Sequence, residues 1–242
     1  RSGVFELEGD VSSQYVTGLL FALPLLDGDS EIRMLSKLES KPYVDLTIAC
    51  LRHFGIAVQE TEQGYAVAGG QQYHACDLTV EGDYSQAAFF CVANALGSDI
   101  TLTNLNPESV QGDKKIVEIV REMCYNREQG LPAGFTVDAA DIPDLVPILA
   151  VLATFGTAPS SITGAHRLAI KESDRLASTA DLLNRLGGKV TATPDGLEIE
   201  PVEHLHGGTV DSCGDHRIAM CAAVAATRCA GEVTILHGEC VE

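Results

Sequence analysis

Charged and hydroxyl side chains are concentrated in the stretch KESDRL, which directly follows an apolar-leaning run. Lys171 and Arg175 could hold an anionic substrate there. Glu172 or Asp174 could then move a proton to or from that substrate. The same residues could instead begin a helix, with Ser173 as N-cap or the acids near the positive end of the helix dipole. The two interpretations differ in function, and the rest of the chain decides between them.

Two further charged groups stand before apolar runs. Asp144, in DIPD, could act as a general base on a substrate hydroxyl or could simply cap a helix. Arg217 follows Asp215 and His216 at another predicted helix start. A cation at that end opposes the helix dipole, so its placement suggests an anion nearby.

Hydroxyl and amide groups lie at two other predicted helix starts. Ser12, Ser13 and Gln14 open one of them, where free backbone N–H groups and the dipole favour anions. Ser40 and Tyr43 flank Lys-Pro at the second, and proline suits a first helical turn. These groups could bind a phosphate or a polyol. Ordinary caps and a packing tyrosine are the alternative interpretation.

A repeat positions these residues. Aspartates at polar turns, 73, 61 and 71 residues apart, each precede a mostly apolar run, a glycine and a β-branched-rich segment: Asp10, Asp83, Asp144 and Asp215. The pattern predicts repeated helix-strand-helix-strand-strand units, each with another strand before its first helix. Because the first helix is apolar nearly all round, we expect it to be buried on all sides. The fold class is α/β (α+β in some schemes), with units closing around a pseudo-symmetry axis.

Composition restricts the partners. The 242 residues carry a net charge of −18, which argues against nucleic acid and anionic membrane surfaces. Neither a P-loop nor a GxGxxG motif occurs, and the histidines form no metal constellation, so we expect no cofactor and no metal. Eight scattered cysteines without a CxxC pair predict buried free thiols in a reducing compartment, the cytoplasm.

One chain carries, in one order and at repeat spacing, the motifs KESDRL, DHRIAM, GDVSSQ, ESKPY, EGDYSQA and IPD. Together they closely resemble the motifs of the 3-phosphoshikimate 1-carboxyvinyltransferases, or EPSP synthases. The resemblance implies transfer of the enolpyruvyl group of phosphoenolpyruvate to shikimate 3-phosphate, with release of phosphate. It also implies two lobes built from such units. Residues 1–80 would be part of one lobe and 81–242 most of the other, in a protein that is a monomer at full length.

Site residues follow from the same resemblance by matching motifs. The implied shikimate 3-phosphate contacts are Ser12, Ser13, Gln14, Ser40, Tyr43, Asp144 and Lys171. The implied phosphoenolpyruvate contacts are Gln14, Arg175 and Arg217. Asp144 resembles the base that takes the proton of the attacking hydroxyl. Glu172 resembles the carboxylate that shuttles a proton at the enol carbon.

The sequence also departs from the family. The family's N-terminal lysine and arginine motifs have no counterpart, nor does a lysine expected just after Glu242, so we expect a fragment that is inactive or nearly so by itself. Arg167 stands where some members carry an asparagine that binds the phosphorylated ring. Two rival functions remain open here, an enolpyruvyl transferase acting on UDP-N-acetylglucosamine and a non-catalytic binding remnant.

Overall fold

The computed structural model describes residues 1–125 and 134–241, and for Cys124 and Tyr125 the backbone alone. The chain divides into two compact units. Unit 1 comprises Arg1–Glu81 and Asn106–Gly112, and unit 2 comprises Gly82–Leu105 and Asp113–Glu242. Each unit has a hydrophobic core of its own, filled mainly by Leu, Ile, Val and Ala.

Unit 1 contains one complete repeat. Its elements in chain order are β1 (Val4–Leu7), α1 (Ser13–Ala22), β2 (Ser30–Met34), α2 (Lys41–His53), β3 (Gln59–Thr61) and β4 (Gly64–Val67). The sheet order is β1-β2-β4-β3, with β1 and β2 parallel and the other pairs antiparallel. Strand β1 precedes α1 and β3 pairs with β4, so the predicted strand before the first helix and the terminal hairpin are both confirmed. Helices α1 and α2 pack against each other.

Unit 2 contains a second complete repeat with the topology of the first, and it also contains elements that belong to other repeats. Its elements are α3 (Tyr84–Ala95), α4 (Lys115–Tyr125), β5 (Thr136–Asp138), α5 (Val146–Thr154), β6 (Ser160–Thr163), α6 (Arg175–Arg185), β7 (Lys189–Thr193), β8 (Gly196–Glu200), β9 (Gly208–Asp211), α7 (His216–Ala226) and β10 (Val233–Leu236). Strands β5 to β8 form a sheet of order β5-β6-β8-β7, again with one parallel and two antiparallel pairs. Strands β9 and β10 precede and follow α7 in the sequence, and they pair with each other in parallel.

The repeat beginning at Asp83 is incomplete in regular structure. The β-branched-rich segment DITLTNL forms no strand in the described chain, contrary to the pattern. Instead, the side chain of Asn94 bonds both the N–H and the C=O of Ile100 at 2.8 Å, and Asn104 accepts the N–H of Gly82 at 2.7 Å. Side-chain and turn bonds therefore hold Ile100 and Asn104 in this segment in place of a strand ladder. The hairpin predicted after α4 falls partly on residues outside the described ranges.

The expectation of fully buried first helices is confirmed for α5 and wrong for α1. Every residue of α5 is buried, and α3, α5 and α7 pack against one another. In α1, Tyr15 is 62% exposed and Phe21 is 45% exposed. Unit 1 holds a single complete repeat, and within the described residues the main helical contact of α1 is with α2.

No helix within the described ranges is long and apolar enough to cross a membrane. The cysteines whose side chains are described are all free, as predicted. The prediction that they are buried holds fully for Cys221 and fails for Cys76 and Cys213, which are exposed. The side chain of Cys124 lies outside the description.

Candidate active site

Arg175 is the first residue of α6, and a neighbouring residue fixes the start of that helix. Asp174, not Ser173, is the N-cap, because its carboxylate accepts the N–H of Ala177 at 3.1 Å. The capping interpretation of KESDRL is therefore correct for Asp174. It does not account for Arg175, whose side chain is 2% exposed although it carries a charge.

Three carboxylates surround the guanidinium of Arg175. Its Nε donates to Asp215 at 2.8 Å, its Nη1 to Asp144 at 3.0 Å and its Nη2 to Glu172 at 2.6 Å. A buried charge requires such partners, and the guanidinium fork can serve several acceptors in one plane. Burial lowers the pKa of Arg175, but the hydrogen bond and charge of Asp215, with Asp144 and Glu172, outweigh it and raise the pKa above its ordinary value.

Asp215 is the N-cap of α7 and is fully buried. Its carboxylate accepts the backbone N–H of Arg217 at 2.9 Å and the hydroxyl of Ser173 at 3.1 Å, besides the bond from Arg175. Burial acts to raise its pKa, yet these hydrogen bonds and the charge of Arg175 prevail, so the pKa lies below its usual 3.8. The carboxylate is thus held in its charged form.

The lowered pKa of Asp215 predicts a pH-dependent stability. A carboxylate whose pKa falls on folding contributes stability that is present above its unfolded pKa and is lost as pH drops through the lowered one. Asp215→Asn should therefore be less stable than the unchanged chain at about pH 6, and the difference should narrow towards about pH 3. Urea titrations followed by circular dichroism measure this. Asp181→Asn, which changes an exposed carboxylate, is the control. If Asp215→Asn lowered the free energy of unfolding by the same amount at both pH values, the lowered pKa of Asp215 would be contradicted.

Arg217 is the second residue of α7, and its side chain is 7% exposed. Its Nη2 donates to Asp144 at 2.8 Å and to the hydroxyl of Ser85 at 3.1 Å. The anion that the sequence suggests beside this arginine is thus supplied in part by the protein itself. Its Nη1 is buried and has no hydrogen-bond partner among the described residues.

Asp144 joins the two arginines. It lies in a short 3₁₀ turn, Pro143–Leu145, immediately before α5, and its side chain caps no helix. One oxygen accepts from Arg175 and the other from Arg217, and the side chain is 21% exposed. The capping interpretation of Asp144 is therefore wrong, because its carboxylate is engaged by guanidinium groups.

We call Asp144, Glu172, Arg175, Asp215 and Arg217 the arginine cluster, and Lys171 and Arg167 are the other charged residues that the sequence singles out in this unit. Glu172 is 53% exposed, and Lys171 is exposed and makes no ion pair with the described residues. Arg167 is buried, and its Nη2 donates to the backbone oxygen of Ala140 at 2.9 Å.

The hydroxyl and amide residues of unit 1 form a separate group at the start of α1. Ser12 is the N-cap and accepts the N–H of Gln14 at 3.3 Å, so Ser12 rather than Asp10 caps the helix. Asp10 instead accepts the hydroxyl of Ser36 at 3.1 Å, which in turn accepts the N–H of Gly9 at 2.8 Å. Ser13 is buried and Gln14 is exposed.

The start of α2 lies near that of α1. Ser40 is buried and adopts the left-handed conformation just before the helix, and Tyr43 is half-buried in its first turn. The hydroxyls of Thr17 and Thr47 are 3.2 Å apart. At 1.5 Å per residue, this contact lies about 6 Å along α1 and about 9 Å along α2 from their first residues. Because α1 joins the parallel strands β1 and β2, and α2 joins β2 to β3, which has the same direction, the two helices run the same way and the predicted serines, Gln14 and Tyr43 lie at their common N-terminal end.

Sequence reasoning did not assign three polar residues that complete the arginine cluster. The sequence predicts Asp215 only as a repeated turn residue before a helix and Ser173 only as a possible N-cap, and it predicts no role for Ser85. The signal for the first two was present, since Asp83 and Asp215 occupy equivalent repeat positions and each is followed two residues later by a polar side chain. Ser173 reaches Asp215 across 42 residues of sequence, which no local pattern reveals.

The arrangement can bind an anion and move protons. Two guanidinium groups share one carboxylate, and a partly exposed carboxylate, Glu172, lies against one of them. Among the described residues no group of three or more His, Cys, Asp or Glu side chains could hold a metal ion. Guanidinium groups of this kind can hold an anion, and a partly exposed carboxylate beside them is able to transfer a proton.

The fold is shared with solved enolpyruvyl transferases. An EPSP synthase from Acinetobacter baumannii superposes with a TM-score of 0.81 at 27% identity and covers 99% of this chain and 59% of that one. The enolpyruvyl transferase NikO from Streptomyces tendae superposes with a TM-score of 0.70 at 17% identity, covering 99% and 60%. The second likeness concerns the fold alone.

Sequence comparison indicates which family of enolpyruvyl transferases the chain resembles. The model of the family described as EPSP synthase (3-phosphoshikimate 1-carboxyvinyltransferase) matches residues 1–242. Proteins of that name from Clostridium kluyveri and Clostridium acetobutylicum are each 44% identical, over 100% of this chain and 59% and 58% of their own lengths. The chain belongs to the EPSP synthase family and spans about three fifths of the length of these relatives. The UDP-N-acetylglucosamine alternative is not favoured.

Proposed function

We propose that the protein to which this chain belongs transfers the enolpyruvyl group of phosphoenolpyruvate to shikimate 3-phosphate, giving 5-enolpyruvylshikimate 3-phosphate and phosphate. The arginine cluster of unit 2 binds the phosphoenolpyruvate anion through Arg175 and Arg217. Ser12, Ser13, Gln14, Ser40 and Tyr43 of unit 1 bind shikimate 3-phosphate, together with Asp144 and Lys171. Gln14 also contacts phosphoenolpyruvate. Residues 1–80 and 81–242 correspond to parts of the two lobes.

One observation carries the proposal: the buried Nη1 of Arg217 has no hydrogen-bond partner within the described part of the chain, beside a second buried arginine. A purely structural ion cluster would satisfy its buried donors, because an unmet donor costs free energy. Here a donor is left open while a half-exposed carboxylate, Glu172, occupies the neighbouring guanidinium. That combination suits a site whose anion comes from outside the protein.

The chemistry is an addition followed by an elimination. The acceptor hydroxyl oxygen forms a bond to C2 of phosphoenolpyruvate and Asp144 takes the hydroxyl proton. Glu172, which has taken up a proton from solvent after leaving Arg175, gives that proton to C3, which becomes a methyl group. The C2–O bond to phosphate then breaks, Glu172 takes back a methyl proton as the double bond re-forms, and the proton on Asp144 leaves with phosphate. Arg175 and Arg217 balance the donor's charge and orient it.

The cluster has to open before this sequence can begin. Glu172 occupies Nη2 of Arg175, and Asp144 holds both arginines, so an incoming carboxylate or phosphate competes with carboxylates of the protein. Glu172 is the easiest of these to displace because it is the most exposed and bonds one arginine. Displacement also frees its oxygens, which is a condition for proton transfer. Donor binding and release of the acid-base group are thus one event.

This competition predicts that Glu172→Gln binds phosphoenolpyruvate more tightly while losing turnover. An ion pair this exposed has a modest free energy, so the affinity should rise about 2- to 5-fold. Isothermal titration in a chain of the relatives' full length, with shikimate 3-phosphate present, measures it. Asp181→Asn breaks a comparable 2.6 Å pair with Arg185 on the same helix and should leave the affinity unchanged. Weaker binding by Glu172→Gln would show that Glu172 helps to hold the donor.

Product identification tests the proposed function itself. A chain of the relatives' full length that contains these residues is supplied with phosphoenolpyruvate and either shikimate 3-phosphate or UDP-N-acetylglucosamine, and the products are identified by mass. We expect enolpyruvylshikimate 3-phosphate from the first acceptor alone. Absence of product with both acceptors would favour a non-catalytic binding role. The 242-residue chain, assayed in parallel, tests the expectation that it has little turnover by itself.

A further inference from the structure

Arg217 is fixed by a helix start that none of the predicted site residues belongs to. Its Nη2 bonds the hydroxyl of Ser85, which lies 132 residues earlier in the chain and is 5% exposed. Ser85 is the second residue of α3, just as Arg217 is the second residue of α7. Equivalent positions of two repeats therefore meet side chain to side chain in unit 2.

Asp83 sets the direction of the Ser85 hydroxyl. It is the N-cap of α3, and one of its oxygens accepts the backbone N–H of Ser85 at 2.8 Å while the other accepts the hydroxyl proton at 3.1 Å. A hydroxyl has a single proton to donate. With that proton directed at Asp83, the lone pairs of Ser85 are available to accept from Arg217.

The two Nη groups of Arg217 therefore differ in their hydrogen bonding. Nη2 is committed to Ser85 and Asp144, whereas Nη1 is buried without a partner among the described residues. A guanidinium held by Asp144 alone could turn so that both Nη groups share that carboxylate, as bidentate pairs do. The bond to Ser85 opposes this rotation and keeps Nη1 open.

We propose that Ser85, oriented by Asp83, is a positioning residue that commits Nη2 of Arg217 and leaves Nη1 to the donor anion. The inference rests on the proposed function for the identity of that anion, phosphoenolpyruvate. Ser85 itself acts through Arg217, and its hydroxyl is used by the Asp83 and Arg217 bonds.

Kinetics in a chain of the relatives' full length give the first test. Ser85→Ala should raise the KM for phosphoenolpyruvate about tenfold, the effect of one hydrogen bond to a charged group, and change kcat less than about threefold. Ser85→Thr retains the hydroxyl and should restore much of the loss. Ser109→Ala is the matched control, because Ser109 is also buried and also bonds a carboxylate, Glu81, in unit 1. A KM for Ser85→Ala within about twofold of the unchanged protein would overturn the proposal.

Asp83→Asn provides a variant that keeps the helix start, because asparagine caps as well as aspartate. Its amide nitrogen would donate to the Ser85 hydroxyl, which occupies one of the two lone pairs of that oxygen, frees its proton and weakens its acceptance of the bond from Arg217. We expect a rise in KM in the same direction as for Ser85→Ala. An unchanged KM in this variant would also count against the proposal.

Arginine-selective ¹⁵N NMR of the same protein separates this inference from the proposed function. The two Nη signals of Arg217, assigned with Arg217→Lys, should be resolved in the unchanged protein because rotation is hindered, and should merge in Ser85→Ala. Merged signals in both proteins would overturn the positioning role. If they are resolved only with Ser85 present and no turnover is seen, the positioning role stands and the proposed reaction fails.

Discussion

Replacing Arg175 by leucine should lower the free energy of unfolding of unit 2 by about 3–5 kcal/mol, the usual effect of removing one partner from a buried ion pair. The reason is the fully buried Asp215, which would keep its charge or take up a proton without its principal partner. Asp144 would retain Arg217, and Glu172 is exposed enough to be solvated. The loss therefore comes mainly from Asp215.

The chain has no Trp, so circular dichroism and hydrogen exchange are the suitable measurements. Exchange localises the effect, and amides of α5, α6 and α7 should lose protection together. Arg185→Leu is the matched control at the other end of α6, because its partner Asp181 is exposed, and it should leave protection nearly unchanged. Arg175→Lys should recover only part of the loss, since an ammonium cannot reproduce the fork. If the leucine variants of Arg175 and Arg185 lowered the free energy of unfolding and the amide protection equally, the stabilising role of the buried Arg175–Asp215 pair would be contradicted.

Much of the fold was predictable because each repeat has a recognisable local sequence pattern. An aspartate turn, an apolar run and a glycine recur, and the structure shows two complete βαβαββ copies with the same strand order. The failures have physical causes. The exposed face of α1 depends on how many repeats surround it, and the segment after α3 lacks a neighbouring strand within the described chain. Neither fact is contained in the segment's own residues.

The site was predictable to a lesser degree. Residue types and motifs indicated Asp144, Glu172, Arg175 and Arg217, and the structure gathers all four in one cluster. Their pairing was not predictable, because Asp144 could equally have capped a helix and the partners of Arg217 lie 73 and 132 residues away. Long-range pairing of this kind is set by the packing of α3, α5 and α7.

Asp144→Asn should reduce kcat about 10²- to 10⁴-fold in a chain of the relatives' full length, the range typical of losing a general base. An amide cannot take the hydroxyl proton of the acceptor. The substitution also removes the carboxylate that both arginines share, so the affinity for phosphoenolpyruvate should stay unchanged or rise. Asp141→Asn removes the same charge from an exposed side chain three residues earlier and should keep kcat.

We propose that two arginines of unit 2 hold the donor anion while the carboxylate between them moves a proton. The most direct test of this proposal is one pair of numbers for Asp144→Asn: kcat at saturating shikimate 3-phosphate and the dissociation constant for phosphoenolpyruvate. We expect kcat to fall about 10²- to 10⁴-fold while the donor affinity is retained or increased. A kcat close to that of the unchanged protein would contradict the assignment of the base, and loss of donor affinity would contradict the competition between Asp144 and the substrate for the arginines.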